Sequence, residues 1–202
     1  MLVGRPAAEY AGLRNGTLCN GTGLGLGLAP PAGKGTHIPL PQGTGAAIDL
    51  AVRFKLPDGT AHVAAGPIWF TVQVLAAQPG TTASPQYPGM GIAVTVSPPG
   101  PDGTRTASIG DVAGASMSGV GTGNGGADVR SNSFPILATE TTVDVRVLVD
   151  RSIAEFFVQG GRAAKTERGY PGQGEATVIL GASFAGAVAE SFEVHDMGCG
   201  WE

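Results

Sequence analysis

Glu155 is the residue whose type and setting most directly suggest acid–base chemistry. It is an acidic side chain inside the apolar segment IAEFFV. General acid catalysis by Glu155 would require a partner carboxylate at a suitable distance, and the sequence suggests no such residue. Because successive residues of a strand point to opposite faces, Glu155 shares a face with Ile153 and Phe157. We therefore predict that Glu155 is structural and forms an ion pair with one of three cations, Arg146, Arg162 or Lys165.

Asp150 and Ser152 could belong to a nucleophilic site, since serine and aspartate are two members of a catalytic triad. The third member would be a histidine placed against Ser152. The histidines of the chain are scattered and have no nucleophile motif around them: His37, His62 and His195. The same scatter argues against a metal site. We predict that the two short side chains hydrogen-bond to backbone amides of a turn.

The segment from Gly121 to Gly126, GTGNGG, superficially resembles a loop that holds a phosphate. Such loops follow a buried strand and begin a helix, whose amide groups bind the anion. Neither context is present here, so we predict a flexible insertion. The sequence contains no signature of a cofactor site.

Four residues near the chain ends are candidates for covalent modification. Cys19 and Cys199 are the two cysteines, and the first and last strands of a sandwich often lie side by side. A disulfide there would add roughly 4–5 kcal/mol of stability in the chain-entropy model, although two unpaired thiols are an equal alternative. Asn15 and Asn20 each begin an Asn-Gly-Thr glycosylation sequon, which matters only for a secreted protein.

Aromatic rings that stack on sugars are few, because aromatic residues make up 6% of the chain. Trp69 lies in the most hydrophobic segment and is predicted to belong to the core. Tyr170, next to Pro171, has the best chance of lying near a surface groove. It is the candidate sugar contact.

Composition excludes several classes of partner. The 202 residues include 12 basic and 16 acidic side chains, a net charge of −4. Nucleic acids and anionic membranes both bind proteins through a dense basic surface, so neither is expected as a partner of this chain. No apolar run approaches the length of a membrane helix, and the segment MLVGRPAAEY lacks the hydrophobic core of a signal peptide.

Short strands separated by glycine and proline turns dominate the pattern. Val143, Val145, Val147 and Val149 alternate with polar residues, and two further short strands follow in a meander. About eight or nine strands are predicted, with no sustained helical periodicity. Irregular glycine-rich loops are expected over 15–45 and 114–133. This pattern predicts an all-β fold of two antiparallel sheets packed as a β-sandwich.

The run LVDRSIAEFFVQGGRAAKT, followed by Tyr-Pro, closely resembles a signature of the C-terminal β-sandwich of glycoside hydrolase family 32. That family contains the invertases, β-fructofuranosidases and fructan hydrolases. Residues 6–14 resemble the linker that follows its catalytic domain, and residues 192–201 resemble its closing strand. The positions that fit the signature are Asp150, Arg151, Ser152, Ile153, Glu155, Phe157, Gly161, Arg162, Thr166, Tyr170 and Pro171.

The resemblance implies a jelly-roll or concanavalin A-like sandwich that packs against a five-bladed catalytic propeller. Residues 1–14 would be the linker and residues 15–202 a single module. Sucrose or a fructan at an outer subsite and a second copy of the chain are the other implied partners. The parent enzyme is expected to be secreted or vacuolar.

The catalytic motifs of that family are missing from this sequence. The family carries its catalytic acids in Asn-Asp-Pro-Asn-Gly, Glu-Cys and Arg-Asp-Pro motifs, and none of the three occurs here. We therefore expect a non-catalytic accessory module that is inactive alone. The alternative is a free-standing, lectin-like carbohydrate-binding domain.

Overall fold

The computed structural model describes residues 8–29, 34–41, 47–76, 90–112, 133–169 and 177–197. A short 3-10 helix, Ala8–Leu13, leads into thirteen strands and one α-helix, α1 (Gly59–Ala65). The strands are β1 (Arg14–Gly25), β2 (Gly27–Leu28), β3 (Thr36–Pro39), β4 (Ala47–Lys55), β5 (Ile68–Ala76), β6 (Met90–Val96), β7 (Arg105–Asp111), β8 (Ser133–Ile136), β9 (Thr142–Asp150), β10 (Ile153–Val158), β11 (Ala163–Arg168), β12 (Thr177–Ala182) and β13 (Val188–Met197).

The strands form two sheets. The first, sheet A, has the order β1-β13-β4-β9-β10-β11, and every pairing in it is antiparallel. The second, sheet B, has the order β2-β12-β5-β6-β7-β8, with β3 also paired to β12. Only the short β2 pairs in parallel among the described strands. The predicted all-β sandwich is confirmed.

The core lies between the two sheets because each strand buries alternate side chains. Val143, Val145, Val147 and Val149 of β9 are all buried, as their spacing predicts. Phe54 of sheet A stacks on Phe70 of sheet B, with ring centroids 4.8 Å apart. Aromatic contact of this kind joins the two layers at the centre of the core.

The sequence reading differs from the structure at three places. Within 15–45, where an irregular loop was expected, β1 is a strand of 12 residues, although its pairing with β13 has two register shifts. Pro57-Asp58-Gly59 is a sequence typical of a turn, but it leads into α1, where Asp58 Oδ1 accepts a hydrogen bond from the Ala61 amide at 2.8 Å. Trp69 is half-buried on the outer face of sheet B and is not in the core. The expected loop over 114–133 lies almost entirely outside the described residues.

Within the described part of the chain, no helix has the length and hydrophobicity needed to cross a membrane.

Candidate functional site

The outer face of sheet A carries a network of three charged residues contributed by separate strands. Asp49 of β4 is fully buried and is bound by Arg146 of β9 through two hydrogen bonds, of 2.9 and 2.7 Å. Arg14, the first residue of β1, reaches the same carboxylate, with its Nη2 atom 2.7 Å from Asp49 Oδ2. The network therefore connects the start of β1 to the middle of the sheet.

Electrostatics keep this network ionised. Burial alone raises the pKa of Asp49, but the hydrogen bonds and charges of Arg146 and Arg14 outweigh that effect and hold the pKa below its usual value. The hydrogen bond to Asp49 raises the pKa of Arg146. A carboxyl with a lowered pKa is ionised at neutral pH, so Asp49 cannot act as a general acid there.

Next to the network lies a cleft of about 630 Å³, here called the outer cleft. Its position follows from strand register, since Glu193, Ala51, Arg146 and Phe157 are successive partners across β13, β4, β9 and β10. Ala51 is the smallest of these side chains and lies on the central strand. The lining residues are Ala51, Val52, Arg53, Asp144, Val145, Arg146, Phe157, Gly160, Ser191 and Glu193.

One end of the outer cleft is organised by an ion pair and a turn. Arg53 donates to both carboxylate oxygens of Asp144, at 2.9 and 3.3 Å. The backbone of Asp144 exchanges hydrogen bonds with Gln159, whose amide donates to the Asp144 carbonyl oxygen at 2.8 Å. Gln159, Gly160 and Gly161 all have positive φ angles, which makes the tight reversal expected from the sequence.

The chemistry available here is that of a binding surface. Asp49 and Asp144 both bind arginine side chains. Across the described ranges, no group of three His, Cys, Asp or Glu side chains is arranged to hold a metal ion. The outer cleft instead offers guanidinium donors, carboxylate acceptors and one aromatic ring.

Comparison with known families connects this architecture to a family of enzymes. Residues 101–196 match the family model described as the C-terminal domain of glycosyl hydrolases family 32. This part of the chain belongs to that family. The match covers the meander of β9, β10 and β11, and the resemblance carried by the signature is confirmed. No curated protein has a significantly similar sequence.

Solved structures of family 32 enzymes share the fold. Fructan 1-exohydrolase IIa from Cichorium intybus is 17% identical with a TM-score of 0.59, over 98% of this chain and 38% of that chain. Exo-inulinase from Aspergillus awamori is 14% identical with a TM-score of 0.52, over 98% and 33%. Sucrose-6-phosphate hydrolase from Lactobacillus gasseri is 11% identical with a TM-score of 0.50, over 97% and 31%. The chain thus spans well under half the length of these proteins.

Glu155 does not form the predicted ion pair. It is half-buried on the outer face of sheet A, but each of the three cations has another partner: Arg146 binds Asp49, Arg162 binds Glu140 and Lys165 binds Asp111 and Glu167. None of the described cations lies within ion-pairing distance of Glu155. The prediction was wrong because Asp49 competes for Arg146 and the other two cations are engaged at the sandwich margins.

Arg162 of the signature has a structural role. Its Nη1 atom donates to Glu140 Oε2 at 2.6 Å and to the Pro135 carbonyl oxygen at 3.0 Å. Glu140 Oε2 also accepts from the Leu137 amide at 2.7 Å. Arg162 thereby fixes the connection between β8 of sheet B and β9 of sheet A. Thr166 pairs with Glu155 across β10 and β11, and its side chain is exposed.

Four further signature residues, Asp150, Arg151, Ser152 and Ile153, lie at one end of sheet A, here called the junction end. Asp150, Arg151 and Ser152 form the turn between β9 and β10, in which Arg151 has a φ angle of 52°. The turn is held by the Gly169 amide, which donates to the Ser152 carbonyl oxygen at 2.9 Å. The predicted side-chain bonds of Asp150 and Ser152 to backbone amides are not formed with any described residue.

Several candidate residues cannot be placed. Tyr170, Pro171 and Cys199 lie outside the described residues, so the sugar contact and the disulfide stay predictions. Cys19 is half-buried in β1, and burial raises the pKa of its thiol. Asn15 and Asn20 are exposed on β1, an edge strand of sheet A.

A second buried site was missed by the sequence reading. His62 of α1 is fully buried, and its Nδ1 atom accepts a hydrogen bond from Arg105 Nε at 3.2 Å. Nδ1 must then be unprotonated, so Nε2 carries the hydrogen and donates to the Val96 carbonyl oxygen at 3.3 Å. Burial lowers the pKa of His62, and the positive charge of Arg105 lowers it further. The hydrogen bond to Val96 acts in the opposite direction but does not outweigh them.

We expect His62 to make the free energy of unfolding depend on pH. Its pKa is lowered in the folded chain and about 6.5 in the unfolded chain, so the unfolded state binds more protons as the pH falls below that value. The stabilisation is therefore complete above pH 6.5 and decreases below it. In urea unfolding, the free energy of unfolding should be lower at pH 5.5 than at pH 7.5. This difference should be smaller in His62→Gln. Equal drops in the two proteins would contradict this assignment.

Proposed function

We propose that this chain is the non-catalytic C-terminal module of a β-fructofuranosidase-type glycoside hydrolase, and that it packs against a catalytic propeller and stabilises it. The observation that carries the proposal is the match of residues 101–196 to the family's C-terminal domain. The similar structures are a fructan exohydrolase, an exo-inulinase and a sucrose-6-phosphate hydrolase. The parent enzyme would accordingly hydrolyse sucrose or fructans.

The state of the carboxylates supports a non-catalytic role. Hydrolysis with retention requires two carboxyl groups about 5 Å apart, one of them protonated at working pH. In the outer cleft, both oxygens of Asp144 bind Arg53, and both oxygens of the nearby Asp49 bind arginine. The bonds from Arg146 and Arg14 hold the pKa of Asp49 below its usual value, so Asp49 is ionised and cannot protonate a leaving group.

The junction end is the surface best suited to receive the propeller. The segment preceding β1 reaches the sandwich there, because Arg14 pairs with Met197 at the end of β13. The start of β4, the end of β9 and the start of β10 lie at the same end, since Ala47 and Ile153 both pair with Asp150. Ile153, a large apolar side chain, is 45% exposed at this end.

The first test is an activity assay on this chain. Purified protein incubated with sucrose or with inulin should release no fructose above the rate of a heat-denatured sample. The reason is that the three motifs that carry the family's catalytic acids do not occur in this sequence. Robust turnover by the purified chain would refute the accessory role.

The second test reads the sequence encoded ahead of Met1 for the three missing motifs. If they are present, the longer protein allows the docking surface to be tested directly. Ile153→Glu should then lower the temperature at which hydrolysis is lost. Leu137→Glu is a matched control, because Leu137 is 48% exposed but lies at the opposite end of sheet A, beside the β10–β11 turn. Equal effects of the two substitutions would exclude the junction end as the contact.

The alternative function, a free-standing carbohydrate-binding domain, draws support from one observation. The outer cleft combines an aromatic ring with charged hydrogen-bonding groups on an open sheet face. A binding role for this cleft is compatible with either function.

A further inference from the structure

We propose that the outer cleft is a binding site for a neutral saccharide. The assignment of that saccharide to a fructan chain rests on the proposed function, whereas its saccharide character rests on the cleft. Four properties carry the inference: the shape of the cleft, its fixed hydrogen-bonding groups, its aromatic wall and its charge balance.

The shape of the cleft results from one small residue. Ala51 on the central strand β4 lies between Glu193 of β13 and Arg146 of β9. The long neighbours form the walls, and the alanine forms the floor. The volume of about 630 Å³ lies within the usual range of small-molecule sites and is large enough for one or two sugar rings.

The hydrogen-bonding groups are held in place before any ligand binds. Arg146 uses Nε and Nη2 for Asp49, and Arg53 uses the same two atoms for Asp144. Within the described residues, the Nη1 atom of each guanidinium has no acceptor. These donors are therefore positioned at little entropic cost to receive ligand hydroxyl oxygens. Glu193 and Ser191 supply acceptors on the opposite wall.

Phe157 forms the aromatic wall. It is half-buried on the outer face of β10, and its partners across the sheet are Arg146 and Ala164. Because Ala164 is small, it leaves the outer part of the ring uncovered. An aromatic ring beside fixed polar groups suits the apolar C–H face and polar rim of a sugar.

The charges of the cleft favour a neutral ligand over a phosphate or a sulfate. The arginine charges of Arg14, Arg53 and Arg146 are balanced by Asp49, Asp144 and Glu193. Glu190 lies close enough to act on Arg53 and adds negative charge. A site for an anion would require unbalanced cations.

The outer cleft also stays accessible in the assembly proposed above. It is bounded by Gly160 and Arg53, at the end of sheet A opposite the junction end. A propeller seated at the junction end would leave this half of the sheet open to a fructan chain. The cleft would then hold polymeric substrate near the catalytic domain.

Calorimetric titration of the chain with 1-kestose, and with maltotriose as a saccharide of a different class, tests the inference. We expect saturable binding of 1-kestose, at least about tenfold weaker in Ala51→Leu because the larger side chain fills the floor. Ala64→Leu is the matched control, since this exposed alanine lies on α1, outside the lining of the cleft. Its affinity should stay within about twofold of the unchanged chain.

The possible outcomes separate the parts of the inference. No saturable binding of either sugar, or binding unaffected by Ala51→Leu, would overturn the site. Binding of maltotriose in preference to 1-kestose would keep the saccharide site and overturn its assignment to fructans. Thermal unfolding confirms that each variant is folded, and Glu193→Gln, which keeps the shape of an exposed side chain, gives a second test through its loss of affinity. None of these results depends on the hydrolysis assay or on docking at the junction end.

Discussion

Asp49→Ala is expected to lower the free energy of unfolding by about 3 kcal/mol. The carboxylate is fully buried, and its removal leaves Arg14 and Arg146 close together with no counter-charge. Removing one partner of a buried ion pair is costly because the remaining charge has lost both its hydrogen bonds and its water. The two arginines are partly exposed, which places the expected loss at the lower end of the range for such networks.

Urea unfolding of Asp49→Ala and Asp144→Ala measures this effect against a matched control. Asp144 also binds an arginine on the outer face of sheet A, but both side chains of that pair are well exposed to water. Exposed pairs contribute less than about 1 kcal/mol. If the two substitutions cost the same, the network around Asp49 does not have the importance given to it here.

Phe54→Ala is expected to be the most destabilising single substitution, at about 4 kcal/mol. Phe54 is fully buried in β4 and stacks on Phe70 of the opposite sheet. Phe70 in turn contacts the ring of Phe184 edge-on, with centroids 5.9 Å apart. The loss therefore combines the transfer of the ring, the cavity left behind and the broken contact between the layers.

Phe157→Ala provides the comparison for Phe54→Ala, because it removes the same atoms from the outer face of the same sheet. Phe157 is half-buried, so its removal exposes less apolar surface and leaves no closed cavity. We expect Phe157→Ala to lower the free energy of unfolding, measured by chemical denaturation, by about half as much as Phe54→Ala. Equal losses would mean that the two layers are not held together through Phe54.

The strands of sheet A could be predicted because their side chains alternate. The valines of β9 and the apolar residues of β4 have a period of two that only a strand with one buried face explains. By contrast, β1 contains four glycines in 12 residues, and a glycine has no side chain whose polarity could indicate which face is buried. Its strand conformation comes from pairing with β13, a long-range contact that the local pattern does not reveal.

The charged network on the outer face of sheet A was harder to predict than the fold. Asp49 and Arg146 are 97 positions apart, and Arg14 is 35 positions from Asp49. Their contact depends on the order of β1, β13, β4 and β9, which alternation alone does not determine. A signal was nevertheless present, since Asp49 and Arg146 occupy outward positions of neighbouring strands with opposite charges. Glu155 was matched to the wrong partners because no strand order was available.

The contact between Arg14 and Asp49 has a mechanical consequence. An edge strand held by backbone hydrogen bonds alone would peel away from its first residue when the preceding segment is pulled. Here the first residue of β1 is bonded to a carboxylate on β4, two strands further in, and through it to β9. Force arriving along the N-terminal segment is therefore shared by the interior of the sheet, so that a domain attached there and the sandwich would move together.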